Sequence, residues 1–256
     1  MGDPFSHLGL DNRERMLASR FFELARLSWE RGIVRFTSFL DEREQSIAAC
    51  AASAQKCAYR LWGGFEDADR AVCAFADCEE SLDMCDWPIE PVCIRFKKEY
   101  KINHRDILGT LMSQQIRRET IGDILVGDGE AQVFVSPAVM PLVVSDVDRI
   151  GGVGVECKNE LLPDLPKVRT EQRTGIAASM RLDCITAMLT QKSRSESLAL
   201  VRAGRVSKGG QVITAPAQQV SAGDKISIRG FGKFRVIGCG EQTRSGRLHV
   251  AFEKYI

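Results

Sequence analysis

The last third of the chain has two short helical patterns followed by a turn and a strand, and this order leaves few folds open. An apolar-periodic helical run precedes Ser193 and Glu196, which predict a capping box at the start of a second helix. The dipeptide Gly209-Gly210 can supply the positive φ angles of a two-residue hairpin, and residues 225–229 are predicted to form a strand. We therefore predict a compact α+β module made of a helix pair and a small sheet.

Charge separates this module from the rest of the chain. Residues 178–256 hold 13 Lys and Arg against 5 Asp and Glu, a net charge of +8. Residues 1–80 hold 10 against 14, and residues 81–177 hold 12 against 15. The overall charge of +1 therefore hides a basic C-terminal module on a mildly acidic body. Such an asymmetry indicates a polyanion as the partner.

The basic side chains of the module are candidates for phosphate contacts. Four of them belong to the second helix and the strand and turn that follow, where a helix pair backed by a sheet can present them on one face. These are Arg194, Arg202, Arg205 and Lys208. The supporting contacts that we predict are Arg181, Arg229, Lys233 and Arg235.

The same stretch resembles an S4 RNA-binding domain, the αL motif of ribosomal protein S4 and of several RNA-modifying enzymes. Four segments carry this resemblance: Arg181-Leu182-Asp183, Ser193-Arg194-Ser195, Ala203-Gly204-Arg205-Val206 and Gly223-Asp224-Lys225-Ile226. The S4 family usually has Asn-Gly where this chain has Gly209-Gly210. The segment from Ser227 to Arg235 makes the resemblance more specific. It resembles the YlmH-type S4 proteins, a bacterial group associated with ribosome quality control.

Residues 1–87 are predicted to form an α-rich N-terminal subdomain. Asp11 with Glu14, and Asp41 with Glu44, have the spacing of capping boxes at the start of two helices. Residues 58–62 favour a short strand that ends at a Gly-Gly pair. This segment also resembles the YlmH-type group.

Residues 88–158 follow the order β-α-β-β-α-β, which predicts a ferredoxin-like, RRM-like central domain. Its second helix is predicted to open at Pro137. The strands offer only Phe96 and Phe134 for base stacking, without the aromatic pattern of RNA-recognition motifs, so stacking on this sheet is the less favoured alternative. The runs 104–109 and 117–129 again resemble the YlmH-type group.

Three arginines of the central domain are possible secondary RNA contacts, although they equally suit ordinary exposed charges: Arg105, Arg117 and Arg118. Residues 159–178 contain two prolines and mixed charge, and we predict a linker there, ahead of an S4 domain over residues 179–256.

Nothing in the sequence indicates a metal, a cofactor or a membrane segment. None of the nine cysteines are separated by two residues, so a zinc site is poorly supported. The N-terminus has no apolar signal region, and no apolar run reaches about 18 residues. We expect a cytoplasmic, monomeric protein with reduced thiols.

The resemblance implies a function in which RNA is bound but not chemically changed. It implies binding to the large ribosomal subunit, with contacts to rRNA and peptidyl-tRNA. The alternative is an RNA-modifying enzyme, similar to a pseudouridine synthase, that uses its S4 domain to deliver substrate. That enzyme would need a catalytic residue such as Asp106, Asp123 or Asp128. Asp183 is expected instead to be the N-cap of the first S4 helix.

Overall fold

The structure is a computed structural model that describes residues 4–168, 170–242 and 246–255. The chain forms two compact units, residues 1–167 (unit 1) and residues 168–256 (unit 2). Both units combine helices with antiparallel sheets, which confirms the predicted α+β class. None of the helices within the described ranges has the length and apolar character needed to cross a membrane.

The N-terminal part of unit 1 packs two helices against a three-stranded sheet of order β1-β3-β2. Its elements are α1 (Asn12–Arg31), β1 (Arg35–Leu40), α2 (Glu42–Gln55), β2 (Ala58–Trp62), β3 (Ala71–Ala76) and α3 (Glu79–Asp83). Both predicted capping boxes are confirmed, since Asp11 and Asp41 each accept the N–H of the glutamate three residues later, at 2.8 and 2.9 Å. The central strand β3 is buried on both faces and was not predicted. Its uniform apolar run lacks the alternation that marks a half-exposed strand.

The central part of unit 1 has the predicted ferredoxin-like order. Its elements are β4 (Glu90–Arg95), α4 (His104–Ser113), β5 (Ile121–Val126), β6 (Glu130–Val135), α5 (Met140–Asp146), β7 (Arg149–Ile150), β8 (Val153–Gly154) and β9 (Glu156–Asn159). The antiparallel sheet runs β5-β6-β4-β9, and the short hairpin β7-β8 precedes its last strand. The predicted start of α5 at Pro137 is wrong: α5 begins at Met140, and Pro141 occupies the first-turn position that tolerates proline.

The two parts of unit 1 share a hydrophobic cluster on the face of the four-stranded sheet that points away from α4 and α5. Phe134 of β6 is 1% exposed, and its ring stacks on Phe65 with centroids 5.1 Å apart. Phe39 and Val72 of the N-terminal sheet belong to the same cluster. Gly64 makes this contact possible, because its φ is +99° and a Cβ there would lie 2.3 Å from the Phe134 ring.

Unit 2 contains a six-stranded antiparallel sheet of order β10-β15-β14-β13-β11-β12. Its elements are β10 (Thr170–Ala177), α6 (Leu182–Thr190), α7 (Arg194–Arg202), β11 (Val206–Lys208), β12 (Gln211–Val212), β13 (Lys225–Ile228), β14 (Gly232–Gln242) and β15 (Leu248–Tyr255). The capping box at Ser193 and Glu196 is confirmed. Gly209 and Gly210 both have positive φ, 55° and 74°, at the β11–β12 turn. The two helices cover one face of the sheet and share its core.

The linker predicted at residues 159–178 is wrong in its second half. Residues 170–177 form β10, which pairs with β15 along its whole length. The strand is mostly exposed and rich in polar residues, so its sequence lacks the apolar pattern by which strands are recognised. Pairing with a distant strand, rather than local preference, therefore decides its conformation.

Gly64→Ala should lower the free energy of unfolding of unit 1 by about 3 kcal/mol, because the added methyl group meets the Phe134 ring and must also adopt a positive φ. Gly152→Ala is a matched control, since Gly152 has φ +84° but nothing within 4 Å of its Cβ position. It should cost about 1 kcal/mol. Urea unfolding followed by tryptophan fluorescence reports unit 1 alone, because all three tryptophans lie at positions 29, 62 and 87. Equal losses in the two variants would contradict the role of Gly64.

Candidate nucleic-acid interface

A buried carboxylate, Asp183 in the first turn of α6, holds two of the predicted basic residues. Its side chain is 1% exposed. Arg181 donates to its two oxygens from Nε and Nη2 at 3.0 and 3.2 Å. The Nε atom of Arg194 lies 3.7 Å from Oδ2, and the N–H of Cys184 donates to Oδ1 at 3.1 Å. One carboxylate therefore binds the guanidinium group of Arg181 and lies close to that of Arg194, at the starts of the two helices.

The predicted N-cap role of Asp183 is wrong, because Arg181 occupies the N-cap position and Asp183 lies inside the helix. The first N–H groups of α6 are satisfied by backbone carbonyls instead: Leu182 donates to Gln218 and Asp183 to Pro216, at 2.8 and 3.1 Å. The Asp183 side chain is thus left to bind the arginines. Burial alone would raise the pKa of Asp183, but the hydrogen bond and charge of Arg181, with smaller help from Cys184 and Arg194, outweigh it, and the pKa is lowered.

Lys208 makes polar contacts within unit 2. Its Nζ donates to Asp224 at 3.0 Å and to the backbone oxygen of Gln219 at 3.2 Å. Gln219 in turn forms a β-bridge with Arg181. Lys208 thus holds the segment before β13 in place and connects it to the start of α6. Its contact with RNA stays a prediction.

A second group of predicted residues gathers at the far end of α7. Arg202 is exposed in the last turn, about 12 Å from Arg194 along the helix axis. Arg205 and Arg229 lie beside each other, because Arg229 donates its N–H to the Arg205 oxygen at 2.9 Å and Arg205 donates from Nη2 to the Arg229 oxygen at 3.2 Å. The side chains of all three are exposed.

All the acidic residues between positions 178 and 230 bind partners within unit 2. Residues 178–230 contain eight Lys and Arg against three Asp and Glu. Asp183 and Asp224 bind the cations already described, and Glu196 caps α7 while lying 3.4 Å from Lys192. The side chain of Arg194, 70% exposed, therefore projects a positive charge that nearby carboxylates offset only weakly. This arrangement suits the phosphate groups of a nucleic acid.

Lys233 and Arg235 lie on the opposite face of the sheet from the helices. Phe234 and Val236 alternate with them on β14 and point into the core, so the two basic side chains point away from it. The Nζ of Lys233 lies 5.0 Å from the centre of the Tyr255 ring. The structure therefore separates these two residues from the arginines of α6 and α7. Tyr255 was missed in the sequence, because only the pairing of β14 with β15 brings it to Lys233.

The three arginines of the central domain differ in their surroundings. Arg105 is exposed on α4, and Arg117 is exposed and 3.4 Å from Glu119. Arg118 donates to the backbone oxygens of Ile121 and Gly122 at 2.5 and 3.3 Å. Burial, with a smaller contribution from the charge of Arg70, lowers the pKa of Arg118 to about 10. Arg118 therefore has a structural role in unit 1, and of the three arginines it is the least available for RNA.

The carboxylates that an enzymatic mechanism would need have local structural roles or lie open to solvent. Asp106 accepts the N–H of Asn103 at 3.0 Å and completes the capping box of α4. Asp123 accepts the N–H of Asp69 at 2.6 Å, and burial raises its pKa. Asp128 is exposed in the turn between β5 and β6. These contacts do not favour the alternative of an RNA-modifying enzyme.

All nine cysteines are free thiols. Within the described part of the chain, no group of three or more His, Cys, Asp and Glu side chains is arranged to hold a metal ion.

Asp183→Asn should destabilise the helix pair of unit 2 by about 2 kcal/mol, because charge-assisted hydrogen bonds to a buried group are lost. The lowered pKa of Asp183 means that its stabilising effect is present above the ordinary carboxyl pKa of about 4 and is lost as pH falls through the folded-state value. Hydrogen exchange of the α6 and α7 amides, measured against pH, should show this acid-dependent loss in the wild type but not in Asp183→Asn.

Glu171→Gln is the control for this measurement, because it removes an exposed pair with Arg173 and should change little. If the α6 amides of Asp183→Asn were as well protected from hydrogen exchange as those of the wild type, the stabilising role of the buried carboxylate would be contradicted.

Comparison with known proteins supports the interpretation of both units. Residues 84–163 match the family described as "Putative RNA-binding domain in YlmH", and residues 180–226 match the S4 domain. The Ribosome-associated protein quality control protein P2 of Bacillus subtilis (strain 168) is 28% identical over 257 residues, which cover 99% of each chain. Among solved structures, the Cell division protein ylmH from Streptococcus pneumoniae matches 59% of this chain and 93% of its own, with 19% identity and a TM-score of 0.49. The predicted resemblance is confirmed: the chain carries a match to the putative RNA-binding domain of YlmH, followed by an S4 domain.

Proposed function

We propose that this chain is a non-enzymatic, cytoplasmic RNA-binding factor that acts as a monomer on the large ribosomal subunit in ribosome-associated quality control. Its contacts there would be with rRNA and with peptidyl-tRNA. The relative from Bacillus subtilis is a ribosome-associated quality control protein by name, and it matches this chain from end to end. The S4 domain supplies a surface for structured RNA.

The observation that carries the proposal is the distribution of charge around α6 and α7. The three carboxylates of residues 178–230 are bound within the unit, while Arg194, Arg202, Arg205 and Arg229 face solvent. Double-helical RNA hides base edges in a deep, narrow groove, so a rigid basic surface of this kind recognises shape and phosphates more than sequence. Folded ribosomal RNA and tRNA offer such a target.

The double variant Arg194→Ala/Arg205→Ala should weaken binding to purified large subunits by more than about tenfold at moderate salt, since each lost phosphate contact removes counterion release. Arg173→Ala/Lys192→Ala is the matched control: it removes two positive charges of unit 2 that pair with Glu171 and Glu196. The control should bind almost as the wild type does. A double variant that remains folded by circular dichroism and binds with unchanged affinity would exclude this surface.

A lysate gradient combined with crosslinking of bound RNA tests the cellular partner. Migration with free large subunits, with rRNA or tRNA crosslinked to unit 2, is the expected result. Crosslinks to free tRNA together with loss of a base modification in a deletion strain would instead favour the enzyme.

A further inference from the structure

The face of the four-stranded sheet on which RNA-recognition modules stack bases is closed in this chain. Such modules bind RNA through aromatic side chains exposed on the central strands. Here the aromatic residue of β6, Phe134, is 1% exposed and stacked against Phe65. Leu125 of the neighbouring strand is buried in the same cluster. No base can reach this face while Phe65 stays in place.

A second segment, which follows β9, covers the same face. The side chain of Gln132 is fully buried on β6, where its Nε2 donates to the backbone oxygen of Glu160 at 3.2 Å. Its Oε1 accepts the N–H of Leu162 at 2.8 Å. Leu165 packs against the cluster around Phe134. The face is therefore closed from two sides, and RNA must meet this unit at another surface.

The loop between β4 and α4 offers such a surface. Residues 97–101 are all exposed, and they contain three lysines, one glutamate and Tyr100, which is 46% exposed. Arg105 is exposed in the first turn of α4. We call Lys97, Lys98, Tyr100, Lys101 and Arg105 the β4–α4 cluster.

The cations of the β4–α4 cluster are hardly engaged within the protein. Lys97 lies 3.9 Å from Glu99, an exposed pair that contributes little. Within the described residues, the side chains of Lys98, Lys101 and Arg105 make no hydrogen bond or ion pair. This separates them from Arg118, which is bound to backbone oxygens.

The loop is nevertheless anchored at both ends. Phe96 donates its N–H to the Gly129 oxygen at 2.9 Å at one end, and Ile102 is buried in the core at the other. Between them, Tyr100 donates its N–H to the Lys97 oxygen at 3.0 Å, which closes a turn that presents its ring. A side chain that is already placed loses less entropy when it binds.

We propose that the β4–α4 cluster is a second RNA contact of this chain, in which Lys98, Lys101 and Arg105 bind phosphates and Tyr100 stacks on an unpaired base. Aromatic rings beside flexible cations are the means by which proteins hold single-stranded nucleic acid without reading its sequence. The inference rests on the proposed RNA function and names the surface by which unit 1 takes part in it. The ligand is an unpaired nucleotide next to a phosphate backbone.

The triple variant Lys98→Ala/Lys101→Ala/Arg105→Ala tests the phosphate contacts in the full chain, with rRNA extracted from large subunits as one probe and intact large subunits as the other. Binding to extracted rRNA should weaken at least about fivefold, and the slope of log affinity against log salt should become shallower by about 2, as expected for three lost single-strand phosphate contacts. Arg13→Ala/Arg15→Ala/Arg20→Ala removes the same charge from exposed positions of α1 and should leave the slope unchanged.

Tyr100 is tested separately, because stacking depends on the ring and not on charge. Tyr100→Ala should weaken binding to extracted rRNA about fivefold, whereas Tyr100→Phe should bind as the wild type does. Ultraviolet crosslinking of the wild-type chain to the same RNA should place an adduct on the peptide that contains Tyr100. Adducts on Phe65 or Phe134 would show that the sheet face opens, and would overturn the inference.

The outcomes separate this inference from the proposed function. If the triple variant binds as the wild type does while Arg194→Ala/Arg205→Ala loses binding, the β4–α4 cluster is excluded and the ribosomal function stands. If the triple variant is weakened on extracted rRNA but the wild type does not bind intact large subunits, the cluster stands and the ribosomal function fails. Absence of wild-type binding to both probes would overturn both.

Discussion

The cost of keeping one carboxylate away from water determines the geometry of the basic surface. A buried ionised Asp183 is tolerated only because two arginines and a backbone N–H surround it. The guanidinium group of Arg181 is therefore placed by the packing of α6, whereas Arg194 lies beside the same carboxylate and stays mostly exposed. When RNA approaches, Arg181 has less conformational freedom left to lose, which favours recognition of a fixed phosphate arrangement.

Local signals in the sequence predicted much of the fold. The capping boxes at Asp11, Asp41 and Ser193 depend on residues three positions apart, so they can be identified without knowledge of tertiary structure. The strands β3 and β10 were missed for opposite reasons: β3 is apolar throughout, and β10 is mostly polar. Neither alternates in the way that a half-buried strand does, and only pairing with distant strands fixes them.

The sequence predicted which basic residues could contact RNA, but it could not show which of them are free to do so in the folded chain. A cation that already has a partner within the fold is less available to a phosphate. Asp224 meets Lys208, and the carbonyls of β5 meet Arg118, through contacts that no spacing in the sequence reveals. Phe134 is likewise unavailable for base stacking, because its ring is covered by Phe65 from a different part of the chain. Of the cations in the β4–α4 cluster, only Arg105 was predicted. The three lysines were overlooked because the net charge of residues 81–177 is negative, and the average over that range conceals a short basic loop.

The covering of Phe134 has a consequence for how the chain matures. During synthesis the segment with Phe65 leaves the ribosome before β6, whereas Leu162 and Leu165 leave after it. The sheet can therefore reach its final burial only after residue 165 has emerged, so completing unit 1 is a late step of its synthesis. A fragment restricted to residues 84–163 would lack Phe65, Phe39 and Leu165 and would expose the apolar ring of Phe134 to water. A fragment of residues 1–167 would keep all the members of this cluster.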